Sequence, residues 1–283
     1  MFSADMLAGS TILVTGGGTG LGRAMAERFA SVGAKVGVAG RRQGPLDETV
    51  AAIRAAGGVA ASVSMDARDP ASVSVGIDAI EAELGPVNGL VNNAAGNFLA
   101  PSEDLSANAF NSVVQIVLYG AFHVTQACGK RWIERQSGGR VLSILTTYAW
   151  MGSPFVLPSA MAKAGVLAMT RSLAVEWGCY GIRFNAIAPG PFPTEGAFSR
   201  LMMSSGMEEE GKKHNPTGRF GDPPELGDLA AFLMSPMASY INGDVVTIDG
   251  GEWLRIGQEF GGMTGFDRGA VKGMLASMKP SKG

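Results

Sequence analysis

A glycine-rich turn between Thr15 and Gly22 is the segment of this sequence whose residue types most clearly indicate chemistry. It reads Thr-Gly-Gly-Gly-Thr-Gly-Leu-Gly, follows an apolar run and opens an amphipathic helical pattern. Glycine permits positive φ in a tight turn and lets backbone N–H groups approach a pyrophosphate, at which the following helix aims its positive end. A turn that only shapes the backbone is the alternative. The context predicts a dinucleotide site formed by Gly16, Thr19, Gly20, Leu21 and Gly22.

Two arginines after the second apolar run bear on which dinucleotide is bound. Arg41 and Arg42 follow Gly40, where a protein that binds NAD usually places an acidic side chain for the ribose hydroxyls. Guanidinium groups suit the 2′-phosphate of NADP through charge and bidentate hydrogen bonds. We therefore predict NADP(H) as the cofactor, with arginines that contact no ligand as the alternative.

Short apolar or β-branched runs alternate with longer helical patterns along the chain. This alternation predicts right-handed βαβ units, and runs that are apolar throughout suit parallel strands covered on both faces. We predict an α/β fold: a single Rossmann-type doubly wound parallel sheet of about seven strands with helices on both faces. The predicted strands are 11–15, 35–39, 61–65, 89–92, 140–145, 182–188 and 245–248, and the helical patterns are 20–31, 45–56, 70–84, 107–135, 158–179 and 224–235.

Composition narrows the classes of partner. The 283 residues are 46% hydrophobic and 17% charged with a net charge of -2, which suits one domain over 1–283 and disfavours nucleic acid. No apolar run reaches the roughly 18 residues that cross a bilayer, so no membrane partner is expected.

His123 and His214 are widely separated and predict no metal site. Cys128 and Cys179 are far apart in the sequence and suggest no disulfide. The first predicted strand begins at residue 11, which leaves no room for a targeting peptide, so we expect a cytoplasmic protein.

Two segments interrupt the alternation. The stretch 194–220 contains Glu208-Glu209-Glu210 followed by Lys212-Lys213-His214. Because long insertions after the carboxyl end of a strand often serve binding, we predict a substrate lid there, with a solvated surface loop as the alternative. The C-terminal tail, from about residue 252, is expected to pack on a neighbouring element or to fray.

Further motifs resemble the short-chain dehydrogenase/reductase family over roughly residues 8 to 255. The resemblance rests on the glycine turn, on Asn92-Asn93-Ala94-Ala95-Gly96 and on Pro189-Gly190 after the sixth strand. It implies an adenine contact for Asp66 and cofactor contacts for Asn93 and Ala94. It also implies a ribose contact for Lys163 and nicotinamide contacts for Pro189, Gly190 and Thr194.

The sequence departs from that family at its usual catalytic tyrosine. Where most members carry Tyr-x-x-x-Lys, this chain reads Ser159-Ala160-Met161-Ala162-Lys163, and Val117 occupies the place of the family's helix asparagine. A serine hydroxyl is too weak an acid to replace a phenol. Both departures, together with Asn97-Phe98, Thr146-Thr147-Tyr148-Ala149 and Glu195 to Arg200, resemble the NADPH-dependent 2,4-dienoyl-CoA reductases of the mitochondrial type.

This narrower resemblance implies that the active-site tyrosine is Tyr148, assisted by Asn97. Hydride addition at the far end of a conjugated thioester collects negative charge on the thioester oxygen, and two hydrogen-bond donors can stabilise that charge. Lys163 is expected to orient the cofactor and Ser159 to hydrogen-bond within the site. The alternatives are a packing role for Tyr148, a turn-closing role for Asn97 and a helix-start role for Ser159.

The resemblance also implies an acyl-CoA substrate and a homotetramer built through 107–135 and 158–179. Substrate contacts are expected from Arg68, Phe98, Ser106 and Arg200. Three other functions remain open: a reductase of another enoyl thioester, a carbonyl reductase with Tyr148 recruited as the acid, and a dinucleotide-binding protein without catalytic activity.

Overall fold

The computed structural model describes residues 3–194, 205–256, 258 and 261–277. Seven strands form one fully parallel sheet in the order β3-β2-β1-β4-β5-β6-β7. The strands are β1 (Thr11–Thr15), β2 (Lys35–Gly40), β3 (Val59–Ser64), β4 (Gly89–Asn92), β5 (Gly139–Ile144), β6 (Ile182–Pro189) and β7 (Val245–Ile248). The predicted doubly wound α/β fold is therefore confirmed.

Helices connect successive strands. In chain order they are α1 (Gly20–Ser31), α2 (Gln43–Ala55), α3 (Pro70–Leu84), α4 (Ala107–Val114), α5 (Gly120–Arg135), α6 (Tyr148–Met151), α7 (Leu157–Glu176), α8 (Ser205–His214), α9 (Pro223–Met234), α10 (Glu252–Ile256) and α11 (Arg268–Ser277). The continuous pattern predicted over 107–135 is divided by a π-helical segment, Gln115–Tyr119, between α4 and α5. A π turn keeps the chain helical while it inserts a residue, so periodicity alone does not reveal it.

The strands separate two hydrophobic cores, and the alternation of their side chains explains why. Ile12 and Val14 of β1 point into one core with side chains of α1, α2 and α9. Leu13 points into the other with side chains of α3, α5 and α7. Phe29 and Trp132 are among the largest fully buried side chains of the two cores. Both faces of the sheet are thus covered, which is why its strands tolerate unbroken apolar runs.

Strand order reverses on the two sides of β1, because β2 pairs with one of its edges and β4 with the other. At such a switch point the connecting helices leave to opposite faces, and a crevice opens beyond the carboxyl ends of the strands. The predicted glycine turn begins at this end of β1. The topology therefore places the predicted cofactor residues at the crevice.

Within the described ranges, no helix combines the length and hydropathy needed to traverse a lipid bilayer.

Candidate active site

A cavity of about 590 Å³ lies at the switch point of the sheet. Its lining includes most of the predicted cofactor residues: Gly16, Thr19, Leu21, Gly22, Arg41, Arg42, Asp66, Asn93, Ala94 and Thr194. Gly20 lies against Thr194, since a Cβ on Gly20 would be 3.5 Å from the Thr194 side chain. The structure therefore gathers residues from β1, β2, β3 and β4 that are far apart in the sequence.

The glycine turn has no room for side chains where it meets β4. A Cβ on Gly22 would lie 2.2 Å from the Gly16 carbonyl oxygen and 2.5 Å from Asn93 Nδ2. Gly16 and Gly20 adopt φ values of 66° and 54°, which favour glycine. The Asn93 side chain donates to the carbonyl oxygens of Thr15 and Gly16, at 3.0 and 3.2 Å. This backbone cradle and the following N-terminus of α1 fit a pyrophosphate.

Charged groups concentrate at one end of the cavity, where β2 and β3 end. Arg41 and Arg42 are exposed there, and neither forms an ion pair with another described residue. Asp66 is held by Arg68, whose backbone N–H and Nε both donate to its Oδ1, at 3.0 and 2.9 Å. The Arg68 hydrogen bonds hold the pKa of Asp66 below its ordinary value, so the carboxylate stays ionised. Two cations that lack partners in the described chain suit a phosphate group at this end.

The predicted catalytic side chains Tyr148, Ser159 and Asn97 come together from three separate segments. Tyr148 is the first residue of α6, Ser159 lies in the first turn of α7, and Asn97 lies in the loop after β4. The Tyr148 hydroxyl lies 3.0 Å from Ser159 Oγ and accepts a hydrogen bond of 3.4 Å from Asn97 Nδ2. Asn97 is itself fixed, because its Oδ1 accepts from the Phe98 backbone N–H at 2.9 Å.

The environment of Tyr148 keeps its phenol protonated. Burial raises the pKa of Tyr148, and hydrogen bonds with Ser159 and Thr146 offset only part of that effect. A phenol that retains its proton can donate a hydrogen bond to a developing oxyanion. The arrangement therefore supplies a donor rather than a base at neutral pH.

Lys163 lies one helical turn after Ser159 on α7 and is 7% exposed. Its ammonium donates to the carbonyl oxygen of Ile144, the last residue of β5. Burial lowers the pKa of Lys163 to about 8. The hydrogen bond and the packing of α7 on the sheet fix the ammonium at the carboxyl end of β5, and its other N–H groups remain donors.

Pro189 is the last residue of β6, one residue beyond the predicted end of this strand, and Gly190 follows it beside the turn after β7. A Cβ on Gly190 would lie 2.6 Å from Asp249 Cβ and 3.4 Å from Glu252 Oε2. The backbone of this turn is therefore packed closely against the start of α10. Burial, with a smaller effect from Asp249, raises the pKa of Glu252.

The predicted substrate residues lie in different places. Arg68 lines the cofactor cavity in its pair with Asp66, and Phe98 packs beside Val113 and Val117 of the adjacent helical segment. Ser106 is exposed and caps α4 by accepting a hydrogen bond from the Ala109 N–H at 3.1 Å. Arg200 lies outside the described residues.

Sequence reasoning missed several residues that shape the site. Thr15 Oγ1 accepts from the N–H groups of Asn93 and Ala94, at 3.0 and 3.1 Å, and donates to Val91 O at 3.1 Å. A threonine that ends a strand just before a glycine turn is a signal that could have found it. Gly18 of the glycine turn also lines the cavity, as do Pro45, Leu46 and Ile116, which carry no chemical signature that would mark them.

Comparisons with known proteins agree with this geometry. The family described as enoyl-(acyl carrier protein) reductase matches residues 16–252. "Probable 2,4-dienoyl-CoA reductase 3, (3E)-enoyl-CoA-producing" from Caenorhabditis elegans is 46% identical over 87% of this chain and 81% of its own length. "Probable 2,4-dienoyl-CoA reductase, (2E)-enoyl-CoA-producing" from Bacillus subtilis is 45% identical over 86% of this chain and 96% of its own length.

A solved structure agrees with the fold. The gluconate 5-dehydrogenase from Burkholderia cenocepacia, in complex with NADP and tartrate, superimposes with a TM-score of 0.83 at 30% identity, covering 89% of this chain and 98% of that one. The family match includes Gly16 to Gly22 of the glycine turn, the predicted catalytic side chains and the turn after β6. This chain is a member of the short-chain dehydrogenase/reductase family.

Proposed function

We propose that this protein catalyses the NADPH-dependent reduction of a 2,4-dienoyl-CoA to an enoyl-CoA in unsaturated fatty-acid oxidation. The observation that carries the proposal is the Tyr148 hydroxyl, placed between Ser159 Oγ and Asn97 Nδ2 while Ser159 stands four residues before Lys163. The two relatives named as 2,4-dienoyl-CoA reductases support the same reaction.

The cofactor site fits a phosphorylated dinucleotide. The glycine cradle and the N-terminus of α1 would hold the pyrophosphate, Arg41 and Arg42 the 2′-phosphate, and Asp66 the adenine. Lys163 would hold the nicotinamide ribose. When bound, NADPH supplies the hydride that reduces the conjugated acyl group.

The protein's own contribution is to stabilise negative charge on the thioester oxygen. Tyr148 donates its O–H and Asn97 its amide N–H toward that oxygen, in a site partly shielded from water. Ser159 orients the phenol, and the Lys163 ammonium adds positive potential below it. The phenol remains a donor because its pKa is raised. A proton from solvent completes the product, at C2 for a 3-enoyl-CoA or at C4 for a 2-enoyl-CoA.

The test follows NADPH oxidation with 2,4-hexadienoyl-CoA and, in parallel, with a panel of simple ketones and with NADH. We expect turnover of the dienoyl thioester and a preference for NADPH. Tyr148→Phe should lower kcat by about 10²- to 10³-fold, as expected for loss of one oxyanion donor. Tyr180→Phe is the matched control, because Tyr180 is 49% exposed and lies outside the cluster.

Three results would contradict the proposal. Turnover of ketones alone would indicate a carbonyl reductase in which Tyr148 acts as the acid. Tight NADPH binding without turnover of any acyl-CoA would indicate a protein without catalytic activity. Full dienoyl-CoA activity in Tyr148→Phe would remove the phenol from the reaction.

A further inference from the structure

Several large apolar side chains are left exposed around the catalytic hydroxyls. The exposed fractions are 47% for Leu99, 38% for Trp150, 41% for Met151 and 57% for Phe155. Together with the partly buried Trp253, we call these residues the apolar rim. Its members come from the loop after Asn97, from α6 and the segment after it, and from α10.

Two tryptophans connect the two sides of the rim. The rings of Trp150 and Trp253 meet edge to face, with centroids 5.6 Å apart and planes at 84°. Trp150 lies two residues after Tyr148 on the same helix. Trp253 follows Glu252, whose carboxylate lies beside the Gly190 turn. The pair therefore joins the element that carries the phenol to the element packed on the predicted nicotinamide turn.

Phe155 is held in an unfavourable backbone conformation within the rim. Its φ is 63°, in the left-handed region that a bulky side chain rarely adopts. Its carbonyl oxygen accepts a hydrogen bond of 2.9 Å from the Ala100 N–H, which ties this segment to the loop that carries Asn97. Strain of this kind persists where surrounding contacts fix it, and here the fixed conformation presents an aromatic ring to solvent.

Charge is segregated between the rim and the cofactor cavity. Neither 92–102 nor 143–162 contains an Asp, Glu, Lys or Arg. The cations Arg41, Arg42 and Arg68 lie instead at the end of the cavity where β2 and β3 end. Because Arg41 and Arg42 are assigned to the cofactor's 2′-phosphate, the rim is left to an uncharged, apolar part of the second substrate. The acyl chain of a CoA thioester has this character, whereas a sugar acid or a small ketone does not.

We propose that the apolar rim is the subsite for the acyl chain beyond the diene, with the Trp150–Trp253 pair as its wall. The inference rests on the proposed function and adds a substrate preference to it: longer 2,4-dienoyl chains are reduced more efficiently than short ones. Each methylene that the rim removes from water should raise kcat/KM by up to about fourfold.

The experiment compares kcat/KM for 2,4-hexadienoyl-, 2,4-octadienoyl- and 2,4-decadienoyl-CoA. The wild-type protein should show a rising series. Trp150→Ala and Trp253→Ala should weaken this dependence on chain length. They should lower kcat/KM for decadienoyl-CoA at least tenfold and change kcat/KM for hexadienoyl-CoA less than twofold. Trp150→Phe, which keeps an aromatic wall, should retain most of the increase of kcat/KM with chain length. It also serves as the second variant if an alanine variant fails to fold. Met237→Ala, 65% exposed on a surface turn after α9, is the control.

The outcomes separate this inference from the proposed function. No turnover of any dienoyl-CoA by the wild-type protein would overturn both. If the wild-type protein turns over dienoyl-CoA and neither tryptophan variant changes the dependence of kcat/KM on chain length, the subsite alone is overturned. An equal loss at every chain length would show that the tryptophans position Tyr148 rather than the chain. If a tryptophan variant changes the oligomeric mass but keeps the dependence of kcat/KM on chain length, the rim contacts a second copy of this protein. That result would also overturn the subsite.

Discussion

At the scale of single residues, the site obtains a phenol without the usual tyrosine on α7. Ser159 occupies the position four residues before Lys163, and its Oγ reaches the Tyr148 hydroxyl at 3.0 Å. The phenol itself comes from α6, which β5 delivers to the same edge of the sheet. A phenol can therefore reach the Ser159 hydroxyl from another element of the fold. In the proposed reaction this phenol donates a hydrogen bond to a thioester oxygen, whereas the usual tyrosine transfers a proton to an alkoxide.

Lys163 gives a prediction for the pH dependence of stability. Burial lowers the pKa of Lys163 to about 8 from its ordinary value of 10.5. Between these values the unfolded chain binds a proton that the folded chain has lost, so the free energy of unfolding increases with pH. The increase should be roughly 3 kcal/mol across this interval, because one pKa unit corresponds to about 1.4 kcal/mol. Chemical denaturation of the cofactor-free protein from pH 7.5 to 10.5 measures it.

The comparison with Lys163→Met isolates this residue. The variant lacks the titrating ammonium, so its stability relative to the wild-type protein should fall steadily as pH rises through the interval. Lys130→Met, which changes an exposed lysine, should follow the wild-type curve. Parallel curves for the wild-type protein and Lys163→Met would show that the buried ammonium is not destabilising the fold.

Residue types and spacing predicted part of this chemistry. The glycine turn, Arg41 and Lys163 are recognisable from their place relative to apolar runs. The pairing of Arg68 with Asp66 is not, because it depends on side-chain conformations in a tight turn after β3. Thr15 was missed for a related reason: its three hydrogen bonds to β4 cross a sequence separation that no local pattern encodes.

At the scale of elements, the contact between α1 and the end of β4 predicts the effect of filling the glycine cradle. In Gly22→Ala the new methyl group would meet the Gly16 carbonyl oxygen at 2.2 Å and Asn93 Nδ2 at 2.5 Å. Because backbone cannot yield as a flexible side chain does, α1 must shift. We expect a loss of stability of about 1–3 kcal/mol and at least a tenfold weaker Kd for NADPH, measured by thermal unfolding and by fluorescence titration.

Gly273→Ala provides the matched control. A Cβ at Gly273, within α11, would meet nothing within 4 Å, and alanine favours a helix over glycine by up to about 1 kcal/mol. This variant should be unchanged or slightly more stable, with normal NADPH binding. Equal behaviour of the two variants would refute the steric argument.

Element positions were largely predictable where burial was continuous. The bounds of β1, β4, β7, α1 and α3 agree with those read from the sequence. The edge strand β3 begins two residues earlier than predicted, because its register on β2 pairs Val59 with Lys35. Hydrogen bonding to a neighbour decides that boundary, and the polar Ser62 and Ser64 weaken the apolar signal along it. The π segment between α4 and α5 likewise leaves the hydrophobic pattern unbroken.

At the scale of the whole molecule, the sheet separates two environments along one edge. The carboxyl ends of β2 and β3 carry the arginines and the Asp66–Arg68 pair, whereas the segments after β4 and β5 carry uncharged polar and apolar groups. Strand order therefore arranges a charge gradient that no single segment contains. The proposed cofactor would occupy the charged end and the acyl chain of the proposed substrate the uncharged end, so both are proposed for the same edge of the sheet.

The exposed apolar residues of the two longest helical elements bear on assembly. α7 packs beside the α4–π–α5 element, and both leave large apolar side chains in contact with solvent. Tyr119 is 52% exposed, Phe122 44%, Met161 52% and Val175 86%. Large apolar side chains exposed on packed helices are characteristic of an interface. Because the family resemblance implies a tetramer, we expect four copies to associate through these helices. Val175→Glu should place a charge in that interface and reduce the mass in solution from four chains of 29.2 kDa to a smaller species, as measured by light scattering after size-exclusion chromatography.

Val75→Glu introduces the same change at a valine of α3 that is 69% exposed, and it should leave the mass unaltered. A monomeric wild-type protein, or a Val175→Glu protein that keeps the wild-type mass, would exclude this surface as the site of assembly.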